Sequence, residues 1–189
     1  MSDIEIIKPT LEPVTLTEAR DHLRVDHTDE DAQISEWITA ARQAAGQYMR
    51  HPMMLHTREL QLDCFPNSDV LPVSIALINV VSVNYLDTTG INQLLATSEY
   101  DIVTESNPGF ILPSYEKVWP DVRVRPGAVK IRYTSGYQTR ADVPGPVRAA
   151  ILLMITDLYE YRHNRTEGSQ GGLSGSAIDL MRYYRDVTY

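Results

Sequence analysis

The segment Asp142-Val143-Pro144-Gly145-Pro146-Val147-Arg148-Ala149-Ala150-Ile151-Leu152-Leu153-Met154-Ile155 decides how the rest of the chain is read. Its two prolines sit where a helix opens, and there a missing N–H costs little because the first turn leaves those groups unpaired. Val147, Ile151, Met154, Ile155, Leu158 and Tyr161 recur at helical spacing. Between Ala149 and Ile155 the chain is apolar almost all round, so the helix predicted within 142–163 is buried on more than one side. A helix of that kind needs helical partners, and the residues just before it do not supply them.

Those residues, 53–141, read as β structure. Seven of the 11 prolines fall between Pro52 and Pro126, which argues against long helices. Leu60 and Leu62 alternate with polar neighbours, and Ile78 to Leu86 is rich in Val and Ile. Asp87-Thr88-Thr89-Gly90 is a turn that returns the chain as a hairpin through Ile91 to Leu95. Tyr100 to Thr104, Gly109 to Leu112 and Ala128 to Thr134 are further short strands, the last alternating through Val129, Ile131 and Tyr133.

Helical partners appear upstream, in residues 1–52. Pro9 and Pro13 keep a short lead extended. Thr15-Leu16-Thr17-Glu18 is a capping-box pattern that opens a helix to about Arg24. Thr28, Asp29, Glu30 and Asp31 then place a cap and three acids at the start of a second helix, where they complement its dipole. Ile34, Trp37, Ile38, Ala41, Ala45 and Tyr48 form its stripe, and Pro52 closes it. The expected fold is α+β: a small α-helical bundle from 1–52 and 142–163, an antiparallel β subdomain inserted at 53–141, and a flexible Gly-rich tail at 164–189 with a short final helix. Trp37, Ile38, Ile151, Ile155 and Leu158 are the expected core between helices two and three.

The chain of 189 residues is 43% hydrophobic and 22% charged, which suits a globular domain rather than a disordered one. Its net charge of −8 disfavours a protein that grips phosphate over much of its surface. A single cysteine, Cys64, excludes an internal disulfide framework. No stretch has the roughly 20 apolar residues of a bilayer span. The start, Met1-Ser2-Asp3-Ile4-Glu5, lacks signal-peptide character, so the expected compartment is the cytosol or an assembly made there. Tyrosine supplies 11 residues against 2 Phe and 2 Trp, a composition suited to contact surfaces.

Signatures of catalysis are scarce. There is no phosphate-binding loop, dinucleotide fingerprint or nucleophile elbow. His22, Asp26 and His27 could hold a metal, but no second ligand pair has metal-site spacing, and a polar turn explains them. His51 and His56 flank a helix-to-strand junction. Cys64 has no partner pattern of a nucleophile. Asp29, Glu30, Asp31 and Glu36 form an acidic run that the helix start already explains in part. Arg123 with Arg125, and Lys130 with Arg132, place positive charge two residues apart, on one face if each pair lies in a strand. No catalytic residue, cofactor or metal is expected.

Two segments resemble the head–tail connector (adaptor) family of tailed bacteriophages and prophages. One is Val14-Thr15-Leu16-Thr17-Glu18-Ala19-Arg20-Asp21-His22-Leu23-Arg24-Val25-Asp26, with the acids and helix that follow. The other is Val129-Lys130-Ile131-Arg132-Tyr133-Thr134-Ser135-Gly136-Tyr137, followed by Val143 to Leu153. The resemblance implies a structural virion protein without enzymatic activity, made in the host cytoplasm and placed in the neck at the portal vertex. It implies a ring of about twelve subunits that binds the portal above and a stopper or tail component below. Such a ring would extend the channel and surround double-stranded DNA without gripping it. Another neck component, a stopper or tail terminator, is the alternative, and a small enzyme a more distant one.

Two further expectations follow. A linker that carries Leu180, Met181, Tyr183, Tyr184, Arg185 and Tyr189 suits a segment that orders as it docks on the portal. Residues 1–50 hold ten acids and five bases, so Asp29, Glu30, Asp31 and Glu36 are candidates for an acidic, DNA-repelling lumen as well as for a helix start.

Overall fold

The computed structural model describes residues 2–161 and 175–185. The chain is α+β and divides into two units, residues 11–54 with 137–189 and residues 1–10 with 55–136.

The helical unit contains α1 (Leu16–Leu23), α2 (Asp31–Met49), α3 (Gly145–Tyr161) and α4 (Gly175–Met181). At α1 the capping box forms in full. Glu18 N–H donates to Thr15 Oγ1 at 3.1 Å, and Thr15 N–H donates to Glu18 Oε2 at 2.7 Å. At α2 the first helical residue is Asp31 and the cap position is Glu30, with no side-chain cap bond, so Thr28 is not the cap that its residue type suggests. Both α1 and α2 end in a left-handed arginine, Arg24 and Arg50, so α2 stops ahead of Pro52. Ile34, Ile38, Ala41, Ala45 and Met49 from α2 meet Val147, Ile151, Met154 and Ile155 from α3 in one core. Trp37 is half-buried against that core and stands edge-on to Tyr159 at 5.8 Å.

Leu158 corrects the sequence reading. It lies on the same helical face as Val147, Ile151, Met154 and Ile155 but is 36% exposed, because burial along α3 stops at Ile155 and Leu158 stands one turn beyond it. Met53 and Met54 correct the domain boundary, since both are buried in the helical core. The inserted part of the β unit therefore begins at residue 55 and ends at 136.

The β unit holds two antiparallel sheets. One has the order β1 (Ser2–Ile7), β2 (His56–Leu62), β8 (Val129–Ser135), β4 (Leu77–Leu86), β5 (Asn92–Leu95). The other runs β3 (Leu71–Ser74), β7 (Gly109–Pro113), β6 (Tyr100–Val103). Leu60, Val83, Leu95, Val129 and Ile131 from the first share a core with Leu71, Val73, Tyr100 and Ile111 from the second. Gly109 permits that closeness: a Cβ on it would stand 2.5 Å from the Leu77 Cβ. At the β4–β5 turn the Asp87 carboxylate accepts from Thr89 N–H, Thr89 Oγ1, Ile91 N–H and Gln93 Nε2, which pulls its pKa down.

The lead was expected to belong with the helical residues 1–52. Instead Ser2–Ile7 is a strand of this sheet, paired with β2. Its paired residues lie 50 to 59 positions away in sequence, so no local pattern announces the pairing.

Candidate interaction surfaces

Strand β1 is exposed along its whole length, and its acids, not its isoleucines, share the face of the sheet that carries the core. Strand geometry puts alternate side chains on opposite faces, and the register fixes which is which. Asp3 stands opposite buried Leu60, and Glu5 opposite Arg58. Both acids therefore point to the side of the sheet that carries the core. There Asp3 Oδ2 accepts from Arg58 Nε at 3.0 Å and from the Tyr133 hydroxyl at 2.9 Å. Burial, with the Asp3 charge beside it, pushes the Tyr133 hydroxyl pKa up. Glu5 Oε1 stands 3.9 Å from His56 Nδ1, and His56 Nε2 shares a 3.1 Å hydrogen bond with Ser135 Oγ.

Glu5, His56 and Ser135 have the residue types of a hydrolytic triad, but Ser135 has no exposed surface and His56 is 9% exposed. A substrate cannot reach the hydroxyl. The row ties β1, β2 and β8 together.

The outer face is the converse. Ile4 and Ile7, opposite Glu59 and Thr57, point outward and are 42% and 56% exposed. Across the centre of that face run Glu59, Gln61, Lys130, Arg132 and Asn84, with Arg132 Nη2 donating to Glu59 Oε2 at 3.1 Å. At the far edge Leu94, opposite Asn84, is 67% exposed, while Ile91, 61% exposed, precedes the strand and has the parity of buried Leu95. Lys130 and Arg132 thus share a face as their spacing predicts. Arg123 and Arg125 do not lie in a strand, so that argument does not reach them.

Another surface lies on the helical unit. Of the expected docking residues, Met181 is fully buried in the helical core beside Ala177, and Leu180 and Tyr184 pack partly against it. Met181 is a core residue because α4 turns its apolar side onto α3 and its neighbours, which a linker-like sequence upstream conceals. Tyr183, 90% exposed, and exposed Arg185 remain on the surface. The Arg185 guanidinium carbon lies 5.3 Å from the centre of the Tyr48 ring, and the Tyr183 and Tyr184 rings meet edge-on at 5.5 Å. Tyr189 and most of the Gly-rich stretch lie outside the described residues.

Asp29 and Glu36 are exposed, and Glu30 and Asp31 half-buried, with Asp31 Oδ1 3.6 Å from Arg20 Nη1. Among the described residues no group of three His, Cys, Asp or Glu side chains could hold a metal ion. No described helix is long and apolar enough to cross a membrane. Cys64 is exposed and unbridged.

Comparison with known proteins gives this architecture a context. Three solved structures align with the whole chain and with 97% of their own chains. They are the neck of an empty gene transfer agent (GTA) particle computed with C6 symmetry (19% identity, TM-score 0.80), the virion of a native gene transfer agent particle (20%, 0.81) and the neck of a native GTA particle computed with C12 symmetry (20%, 0.76). At such identity the likeness is one of fold. No curated protein sequence matches the chain. The sequence profile of the phage gp6-like head–tail connector proteins, however, matches residues 13–110, more than half of the chain. That span runs from the capping box of α1 through both α2 and most of the β unit. The chain belongs to the phage gp6-like head–tail connector family and is a structural protein of the virion.

Proposed function

We propose that the protein sits in the virion neck as a ring of subunits beneath the portal, extends the DNA channel and docks the next neck or tail component below. The observation that carries this reading is whole-chain likeness to a protein of the neck of a native particle computed with C12 symmetry, joined to family membership. A ring of about twelve copies is the corresponding stoichiometry.

The role asks for no catalysis, and the chain's chemistry suits that. Ser135 and His56 of the triad-like row are closed to solvent, and the large exposed apolar side chains lie on surfaces open to a partner. DNA must slide through such a ring without binding. The excess of acids in residues 1–50, ten against five bases, favours a surface that repels phosphate. Tyr183 and Arg185, an exposed aromatic and a cation two residues apart, are the part of the C-terminal segment that we assign to portal contact.

Negative-stain imaging of portal-bearing capsids incubated with the protein tests the reading. A ring of added density beneath the portal is expected. Capsids that stay bare, with the protein free in solution, would refute it.

A further inference from the structure

We propose that neighbouring subunits join through the five-stranded sheet, the β1 edge of one pairing with the β5 edge of the next. The proposal rests on the ring reading above and names its interface.

A closed ring is held by heterologous contacts, in which two different patches on opposite sides of a subunit meet. The two edges of one sheet are such patches. Among the described residues β1 pairs only with β2, and β5 only with β4, so each presents a row of unpaired N–H and C=O groups. The side chains match as well. On the outer face, apolar residues stand at both edges, Ile4 and Ile7 on one and Leu94 on the other, and polar residues fill the middle. Joined edge to edge with that face kept on one side, Ile4 and Ile7 of one copy come beside Leu94 of the next, and two exposed apolar strips become one covered strip.

Strand direction is compatible with a ring. Every pairing from β1 to β2, β8, β4 and β5 is antiparallel. Four reversals leave β1 and β5 pointing the same way. Copies related by rotation about a ring axis running along the strands keep that direction, so β5 meets the next β1 in parallel. A β1–β1 dimer about a two-fold axis perpendicular to the sheet would be antiparallel and would leave Leu94 uncovered.

The alternation of β1 supports the same reading. All of β1 is exposed, but Asp3 and Glu5 lie on the face shared with Leu60, where Asp3 is held by Arg58 and Tyr133, and this sets Ile4 and Ile7 on the opposite face.

The test uses the full chain with Cys64→Ser, which removes the one native thiol, and places Ile4→Cys and Leu94→Cys together or singly. Each is assembled on portal-bearing capsids and treated with a short bis-maleimide. The double variant is expected to give a ladder of covalent oligomers on a denaturing gel, and each single variant only monomer. Ile4→Lys with Leu94→Lys, both at exposed sites, should remain folded by circular dichroism and add no ring. Rings of wild-type protein in which the double variant stays monomeric, or lysine variants that assemble normally, would overturn the strand joint alone. A dimer from Ile4→Cys by itself would overturn it in favour of a two-fold contact. Wild-type capsids with no ring would overturn the ring reading, and this joint with it.

Discussion

Ser135 Oγ and His56 Nε2 lie 3.1 Å apart in a hydrogen bond closed to solvent. The two residues come from neighbouring strands, directly opposite one another. Ser135→Ala strands the imidazole nitrogen in a buried place, which costs about 1–3 kcal/mol. Urea unfolding followed by circular dichroism should show that loss. A fluorophosphonate probe should leave Ser135 of the folded protein unlabelled, and labelling detected by mass spectrometry would contradict a purely structural role.

Ile151 and Leu158, two turns apart on α3, separate burial from periodicity. Ile151 is fully buried and Leu158 is 36% exposed. Ile151→Asp puts an unpaired charge in the core and should cost on the order of 4 kcal/mol or more, enough to unfold the unit. Leu158→Gln should change stability by less than about 1 kcal/mol. Thermal melts of the two variants side by side check this, and equal losses would contradict it.

At the C-terminal end the same contrast divides docking from packing. Met181→Ala should destabilise by roughly 2–5 kcal/mol, since it empties a fully buried site. Tyr183→Ala should leave the melting curve unchanged and weaken attachment to portal-bearing capsids. Removal of all residues after Gly168 would take Ala177 and Met181 from the core, so lost attachment in that truncation reports lost stability rather than lost contact.

Glu18 links stability to pH. The Thr15 N–H, against an opposing effect of burial, and then the Thr15 hydroxyl and the Arg148 and Arg140 charges hold its pKa below the ordinary glutamate value. The sign follows from the depressed folded value: the contribution is complete above the ordinary glutamate pKa and is lost as pH falls through the lowered one. Acid titration of wild type should show stability falling across that window. Glu18→Gln should be less stable at pH 7 and flatter below it. An unchanged acid limb in the variant would count against the capping box as its source.

Gly109 lies hard against the Leu77 side chain, with no room for a Cβ. Gly109→Ala drives a methyl group to 2.5 Å from the Leu77 Cβ, so β7 and β4 must part. A loss of about 1–3 kcal/mol is expected, measured as a lower urea midpoint.

Much of this fold is legible along the chain because its signals are local. The capping box of α1, the stripe of α2, the prolines that open α3 and the Asp87 turn each need only their neighbours in sequence. The strand alternation of Val129, Ile131 and Tyr133 predicts the three residues that the core takes up. Local signals fail where a partner is remote. Nothing near Ser2–Ile7 announces β2, and with three isoleucines beside two acids the segment does not say which set faces inward. The last residues mislead for a related reason, since the Gly-rich stretch hides that Ala177 and Met181 return to the bundle.

The sequence by itself therefore determined the class of the protein: two helical stretches around a β segment, an acidic surface and family motifs at the α1 start and the β8–α3 junction. Periodicity, capping and turn chemistry operate over a few residues and are written in order. The tertiary structure alone decided which side chains are left for a partner. Register with β2 turned Asp3 and Glu5 inward and Ile4 and Ile7 outward, and packing of α4 took Met181 and left Tyr183. Exposure depends on what lies across the fold from a residue, and that is settled only when distant segments meet.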